Sequence, residues 1–438
     1  MPHLTNRFFI LFGSIAALFA LSFPFALLLP LAKALFALAI LLVVVELLLL
    51  YTQRPKVFCK RTINPVFSLG DPNKVTLSFE NAARLHLTFE VYDEIPFQLQ
   101  KRDLRFSFGL PAGASTTLDY DLTPHTRGVY AFGITNALVN TRLGLVQRRL
   151  RLGQPDTADV YPSIIQMKRY ELRALRNIAH EVGIKKMRRI GHSYEFEQIK
   201  NYVEGDDYRS VNWKASSRHN TLMVNQYEDE KSQQVYCIVD KSRAMKMPFN
   251  GLSLMDYAIN TSLAISNIIL KKQDKAGLFS FSDVMGSTIK ADRSASQLQR
   301  IMEALYREKE RPGESNYELL YQAIRRFISA RSLLILFTNF ESSYALERVL
   351  PTLRRLNTAH LLVVVFFENT EIQTFSRQPL RRSSDIFRQT VSRQFLHEKK
   401  EMVTRLRQYG IQSILTRPED LTLNTINKYL ELKSRGLI

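Results

Sequence analysis

The chain has 438 residues, 45% hydrophobic and 23% charged, and 60 Lys and Arg against 41 Asp and Glu give it a formal net charge of +19. That length calls for two or three folded units, because domains usually run to about 100–200 residues. Cys59 and Cys237 lie far apart with no partner His or Cys at metal-ligand spacing, which argues against a disulfide scaffold and a zinc finger and fits a reducing compartment. The positive charge needs an anionic surface, and nucleic acid and acidic lipid both answer to Lys and Arg by the same electrostatics.

The apolar residues decide for lipid. Phe8 to Leu29 carries no charge over 22 residues, roughly 33 Å as a helix. After a short turn at Pro30 and Lys33, residues 34–51 are interrupted only by Glu46 and make roughly 27 Å of helix. The pair predicts a transmembrane helical hairpin within residues 1–55, with spans at about 8–29 and 34–51. A cleaved signal peptide has an apolar region of only about 7–15 residues and no second span directly behind it. Arg7 on one side, and Arg54, Lys56, Lys60 and Arg61 on the other, outweigh Lys33 in the turn, so both ends and the soluble domains face the cytoplasm. Glu46 has two readings, a polar contact between helices or a position near the interface, because an ionised carboxylate in lipid is costly.

Residues 56–162 change to short alternating runs such as "KVTLSFEN" and "LHLTFEVYDE", separated by Gly, Pro and Asp. That is the pattern of a small antiparallel β-sandwich with a structural or docking role. Residues 163–232 form a linker whose first part, to about residue 192, is strongly basic. It either rests on anionic headgroups or is solvated. From residue 233 to 438 apolar strands alternate with amphipathic helices: "QVYCIVDKS", "KAGLFSFSD", "SLLILFTNF", "HLLVVVFFEN" and "IQSILT" are strands and the segments between them helical. Such alternation means a doubly wound α/β domain with a parallel sheet covered on both faces, and ligands in such sheets sit beyond the carboxyl ends of the strands. Asp240 and Ser242 after the first strand, Ser315 in the "GESNY" turn and Asn339 at the end of "LLILFTNF" all reach that edge.

These residues resemble the metal-ion-dependent adhesion site of von Willebrand factor A domains, whose pattern is Asp-x-Ser-x-Ser, a Thr from a second loop and an Asp after a later strand. Asp240 and Ser242 match, Ala244 replaces the last Ser, Ser315 stands for the Thr and Asn339 for the late Asp. The resemblance implies a degenerate site for Mg2+ at Asp240, Ser242, Ser315 and Asn339, weakened by one hydroxyl and one charge; the other reading is an unoccupied remnant in which Asp240 caps or hydrogen-bonds a neighbouring loop. A second stretch, residues 194–231, is similar to the signature of the bacterial membrane-anchored family catalogued as domain of unknown function fifty-eight. Its strongest part is "GDDYRSVNWKASSR", with Gly205, Asp206, Asp207, Arg209, Trp213, Lys214 and Arg218; Lys200 stands where the family carries Arg, and "NTRLGL" at 140–145 where it carries Asp-Pro-x-Gly-Leu. These charges around the sole Trp have the composition of an ion-pair and aromatic network.

The family resemblance implies a multidomain inner-membrane protein: a two-helix hairpin, a β-sandwich and a von Willebrand A-like domain working as a scaffold or adaptor beside a MoxR-type AAA+ ATPase. The sequence has no Gly-x-x-x-x-Gly-Lys loop, no Gly-x-Ser-x-Gly elbow and no His-Glu-x-x-His motif, since Ile184 and Glu401 follow the His of its two His-Glu pairs. An enzyme is therefore not expected. The clusters "KKMRR" at 185–189 and "RRLRL" at 148–152 bind phosphate indiscriminately, and no specific nucleic acid is expected.

Overall fold

A computed structural model describes residues 2–25, 28–52, 56–101, 104–169, 195–203, 206, 208–228, 232–377 and 383–437. The chain divides into two compact units, Met1–Tyr161 and Pro162–Ile438.

The first unit opens with α1 (Asn6–Leu21) and α2 (Leu28–Thr52). Thr5 caps α1 by accepting from the Phe8 amide, the usual use of a hydroxyl before a helix. The expected turn at Pro30 and Lys33 is displaced. The break falls earlier, after Ser22 and around Pro24, and Pro30 lies in the first turn of α2 with Lys33 inside the helix. Proline is tolerated in a first turn because its missing N–H has no partner there, whereas Pro24 could not sit mid-helix. Of the described helices one, Leu28–Tyr51, is long and apolar enough to cross a membrane; Asn6–Leu21 is a shorter apolar helix. The two pack together, with the Phe36 ring meeting Phe12 and Phe19 edge-on at 6.1 Å each.

Residues 57–161 form three sheets. Val57–Thr62, Asn73–Asn81 and Ser115–Leu122 make one; Val66–Ser68, Asp156–Tyr161 and Gly128–Phe132 a second; Leu87–Asp93, Arg105–Leu110, Thr135–Asn140 and Val146–Leu152 a third. Pro2–Leu4, ahead of α1, adds a fifth antiparallel strand beside Val146–Leu152. One pair departs from the antiparallel expectation, because Val66–Ser68 runs parallel to Asp156–Tyr161. The period of two is plain in Asn73–Asn81, where Val75, Leu77 and Phe79 are buried between more exposed residues.

The second unit holds a two-stranded antiparallel hairpin, Glu195–Asn201 with Met223–Glu228, which encloses the short helix α3 (Trp213–His219). The basic segment 170–192, including "KKMRR", lies outside the described residues. Beyond it stands a six-stranded sheet built from β1 (Gln234–Asp240), β2 (Lys275–Phe281), β3 (Met285–Asp292), β4 (Leu333–Phe337), β5 (Leu361–Phe367) and β6 (Gln412–Thr416), in the order β3-β2-β1-β4-β5-β6. All neighbours are parallel except β3, antiparallel to β2. This edge strand corrects the all-parallel expectation. Its sequence, "MGSTIKAD", is polar and half-exposed, as an edge strand can be, so it lacks the apolar run that marks the others.

Each buried strand supplies two cores by alternation. Val235, Cys237 and Val239 face α4 (Leu254–Lys271), α5 (Gln297–Arg307) and α10 (Leu421–Ser434). Tyr236 and Ile238 face α6 (Tyr317–Phe327), α7 (Ser343–Ala359) and α9 (Ser383–Gln408); between β5 and α9 lies α8 (Thr370–Ser376). A continuous apolar run is what two covered faces require. Cys237 is buried at 0% exposure and burial pushes its thiol up to about 12, which keeps it an unreactive core residue.

Candidate functional site

The carboxyl edge of the six-stranded sheet gathers polar side chains from four segments. Asp240, the last residue of β1, is 1% exposed. Its Oδ1 accepts from the Ser242 amide at 2.9 Å and from Ser315 Oγ at 2.6 Å; its Oδ2 accepts from Thr338 Oγ1 at 2.7 Å. Ser315 is placed by the turn ahead of α6, whose N-cap Asn316 accepts from the Leu319 amide, and Thr338 follows β4 directly. Ser242 Oγ is buried beside the carboxylate without a hydrogen bond of ordinary geometry.

Burial raises the Asp240 carboxyl above its ordinary value, and the hydrogen bonds from Ser315, Ser242 and Thr338 work against that rise. Tyr317 shares the edge through a 2.7 Å bond with Thr338. Its phenol is pushed well up by burial and by the nearby Asp240 charge.

Asn339 belongs to a second cluster. Its Nδ2 donates to the Ala244 carbonyl at 3.2 Å, and its Oδ1 accepts from Lys399 Nζ at 2.9 Å. Lys399 enters from α9, donates also to the Phe340 carbonyl, and is 3% exposed. Burial lowers its ammonium to about 8. The structure thus brings Asp240, Ser242 and Ser315 together and joins Asn339 to Ala244 and Lys399. Thr338 and Lys399 are members the sequence reading missed. Thr338 was within reach as the neighbour of Asn339; Lys399 sits 60 residues further on within a basic helix, and nothing in its surroundings singles it out.

Two cavities flank these clusters. One of 300 Å³ is bounded by Asp240, Ser242, Ser315 and Tyr317 and by the charged rim of Arg243, Glu314 and Arg348. Glu314 bridges both arginines, at 3.0 Å and 2.8 Å, and the Arg348 guanidinium holds its carboxyl low. The other, of 590 Å³, is lined by Met247, Phe249, Phe367, Ile372 and Phe395 with Lys399. Among the described residues no group of three or more His, Cys, Asp or Glu could hold a metal ion.

In the signature stretch, Gly205 and Asp207 lie outside the described residues. Asp206 accepts from Lys200 at 2.9 Å and from the Val203 amide at 3.1 Å, and the Lys200 bond lowers its carboxyl. The Arg209 guanidinium stands 5.7 Å from the Tyr208 ring centre. Trp213 is 72% exposed, and Lys214 and Arg218 on the same helix are exposed as well; α3 begins at the N-cap Asn212, which accepts from the Ala215 amide.

Residues 198–373 match the family described as "Protein of unknown function DUF58". That match spans less than half of the chain. It takes in the end of the first hairpin strand, α3, and the sheet from β1 through β5, so Asp240, Ser242, Ser315, Thr338 and Asn339 lie inside the DUF58 match and Lys399 beyond it. The chain is also similar to the uncharacterized protein YeaD of Bacillus subtilis (strain 168), 25% identical over 38% of this chain. That alignment spans 39% of YeaD, well under half its length. Among solved structures, the CARDB domain of a Pyrococcus furiosus protein is 14% identical and covers 24% of this chain and 88% of its own, with a TM-score of 0.18. Proximal thread matrix protein 1 from the mussel byssus is 11% identical over 46% of both chains, with a TM-score of 0.28. At those scores neither likeness carries an argument.

Proposed function

We propose that this protein is a membrane-anchored adaptor. On this reading α1 and α2 form a transmembrane hairpin in a bacterial inner membrane, with both termini and the soluble domains in the cytoplasm, and residues 233–438 are a von Willebrand A-like domain that binds another protein through its carboxyl edge. The partner is a MoxR-type AAA+ ATPase, as the family resemblance implies, and the chain itself is not an enzyme.

One observation carries the reading. Side chains from the ends of β1 and β4, the turn before α6 and the helix α9 converge on one edge beside a charged, exposed rim of Arg243, Glu314 and Arg348. Oriented polar groups at the strand ends of a doubly wound sheet are where such folds receive ligands. The outward-facing apolar side chains of α2, including Leu31, Leu41 and Leu48, favour a lipid surround, since a patch of that kind exposed to water would invite aggregation.

Detergent-solubilised native chain is expected to co-purify with an AAA+ ATPase, and a variant carrying Asp240→Ala with Ser242→Ala is expected to lose it while keeping a cooperative melt. Arg348→Glu, a rim change that leaves the buried cluster intact, should weaken capture as well. Full retention of the partner by a folded double variant would remove the edge as the interface.

A further inference from the structure

We propose that the Lys399 ammonium is a resident cation of the sheet edge, so that the rim works without a divalent metal ion. The inference rests on the reading of this edge as a degenerate adhesion site, and it concerns what took the metal's place.

The donor set argues against a metal. A small divalent cation such as magnesium wants six oxygens in near-octahedral array, drawing on one or two carboxylates and several waters. Among the described residues Asp240 is the only carboxylate hydrogen-bonded with Ser242, Ser315 and Thr338, while Glu314 and Glu341 line the same cavity, and both Asp240 oxygens already accept bonds, two on Oδ1 and one on Oδ2. Asn339, in the position of the second acid, cannot lend its oxygen, because Oδ1 is bound by Lys399 at 2.9 Å while the amide nitrogen is fixed to the Ala244 carbonyl at 3.2 Å. The two positions that depart from the adhesion pattern, Ala244 and Asn339, are therefore tied to each other, and the third member of the tie is a lysine.

The charge that favours the ammonium is Glu341, two residues beyond Asn339, which also lines the cavity beside Asp240. Lys399 lies deep, at 3% exposure, with the Phe366 and Phe395 rings 5.9 and 5.8 Å from its nitrogen and two neutral oxygens as acceptors. Burying an ammonium is costly unless it is hydrogen-bonded, and these contacts are the ones that hold it beside Asn339. A tethered cation also cannot dissociate, so the edge does not depend on metal supply.

The test is a Mn2+ titration of the full-length chain in nanodiscs, followed by electron paramagnetic resonance of the free ion, with Asp240→Asn as control. The native chain is expected to bind no Mn2+ in an Asp240-dependent way up to about 1 mM, the weak end of protein sites for such ions. Restoring the pattern with Ala244→Ser and Asn339→Asp should give little binding while Lys399 remains, because the ammonium neutralises the new carboxylate. Adding Lys399→Met should then tighten Mn2+ binding at least about tenfold. Native binding that disappears in Asp240→Asn would overturn the proposal, as would a triple variant no tighter than the double. Should the triple variant misfold, the native and Asp240→Asn titrations decide between the two outcomes. None of these readings involves a protein partner, so failure to capture an ATPase leaves them unaffected.

Discussion

Glu46→Ala is expected to cost the N-terminal unit about 3–5 kcal/mol and to loosen the loop at residues 141–146, because it removes the carboxylate that four buried donors share. The Glu46 side chain is fully buried, and its partners come from the β-module: Oε1 accepts from Thr141 Oγ1 at 2.6 Å and the Gly144 amide at 3.1 Å, Oε2 from the Leu145 and Val146 amides at 2.8 and 3.1 Å. Consecutive amides turned toward one carboxylate form an anion-binding concavity. The same loop also reaches α1, since Thr5 Oγ1 donates to the Gly144 carbonyl at 2.5 Å and the Leu145 carbonyl accepts from the Thr5 amide at 3.2 Å. Arg148 completes the clasp by donating to the Leu50 carbonyl at 2.6 Å over the Tyr51 ring, a cation placed where the last carbonyls of α2 need one. The apolar helix pair and the β-module are thus one folded body, joined through a carboxylate.

The series separates charge from packing. Glu46→Gln keeps one acceptor but turns an amide N–H toward groups that are themselves donors, so about 1–3 kcal/mol is expected. Thr141→Val should cost about 1 kcal/mol, the worth of one hydrogen bond. Denaturant midpoints of the full chain in detergent measure the series, and hydrogen exchange at Gly144 to Val146 locates it. Amides that stay protected in Glu46→Ala, with an unchanged midpoint, would show that the loop is held by something else.

Glu46 also marks how far a sequence can be read. A lone acid in an apolar run is visible as an anomaly, but its partner Thr141 is 95 residues away, and no local pattern links the two. The strands of the second unit were legible because burial on both faces demands unbroken apolar runs, as in "HLLVVVFF" for β5. β3 was not legible, because a polar edge strand satisfies only one neighbour and looks like a loop. The helix break was misplaced for a related reason: Pro24 and Pro30 are alike in composition, and only the hydrogen-bond ladder distinguishes a proline that ends a helix from one that begins it. At the site, Asp240, Ser242 and Ser315 could be read from their positions at strand ends and turns. Lys399 could not, because a helix from the other end of the domain brings it in, and helix packing is a property of the whole chain.

Asp240 gives the other large effect, and it carries a sign. Its carboxyl is raised in the folded protein, chiefly by burial, so between the ordinary carboxylate value and the raised one the folded chain binds more protons than the unfolded chain. Stability must then fall as pH rises through that window, by at most about 1.4 kcal/mol per pH unit for one group, and the loss persists above it. Asp240→Asn has no such proton to lose. It keeps an oxygen for the Ser242 amide, while the Ser315 and Thr338 hydroxyls can turn to accept from the new amide. Relative to the native chain, Asp240→Asn should therefore gain stability steadily from about pH 4 upward until the native carboxyl is ionised, as read from urea midpoints in which all other groups cancel. Asp240→Ala is a different case, since it strands those hydroxyls and the Ser242 amide and opens a hole, and about 2–4 kcal/mol of destabilisation is expected at neutral pH. A native chain that instead gained on Asp240→Asn with rising pH would mean that the three donors outweigh burial, and that the edge is built to keep its charge rather than to tolerate it.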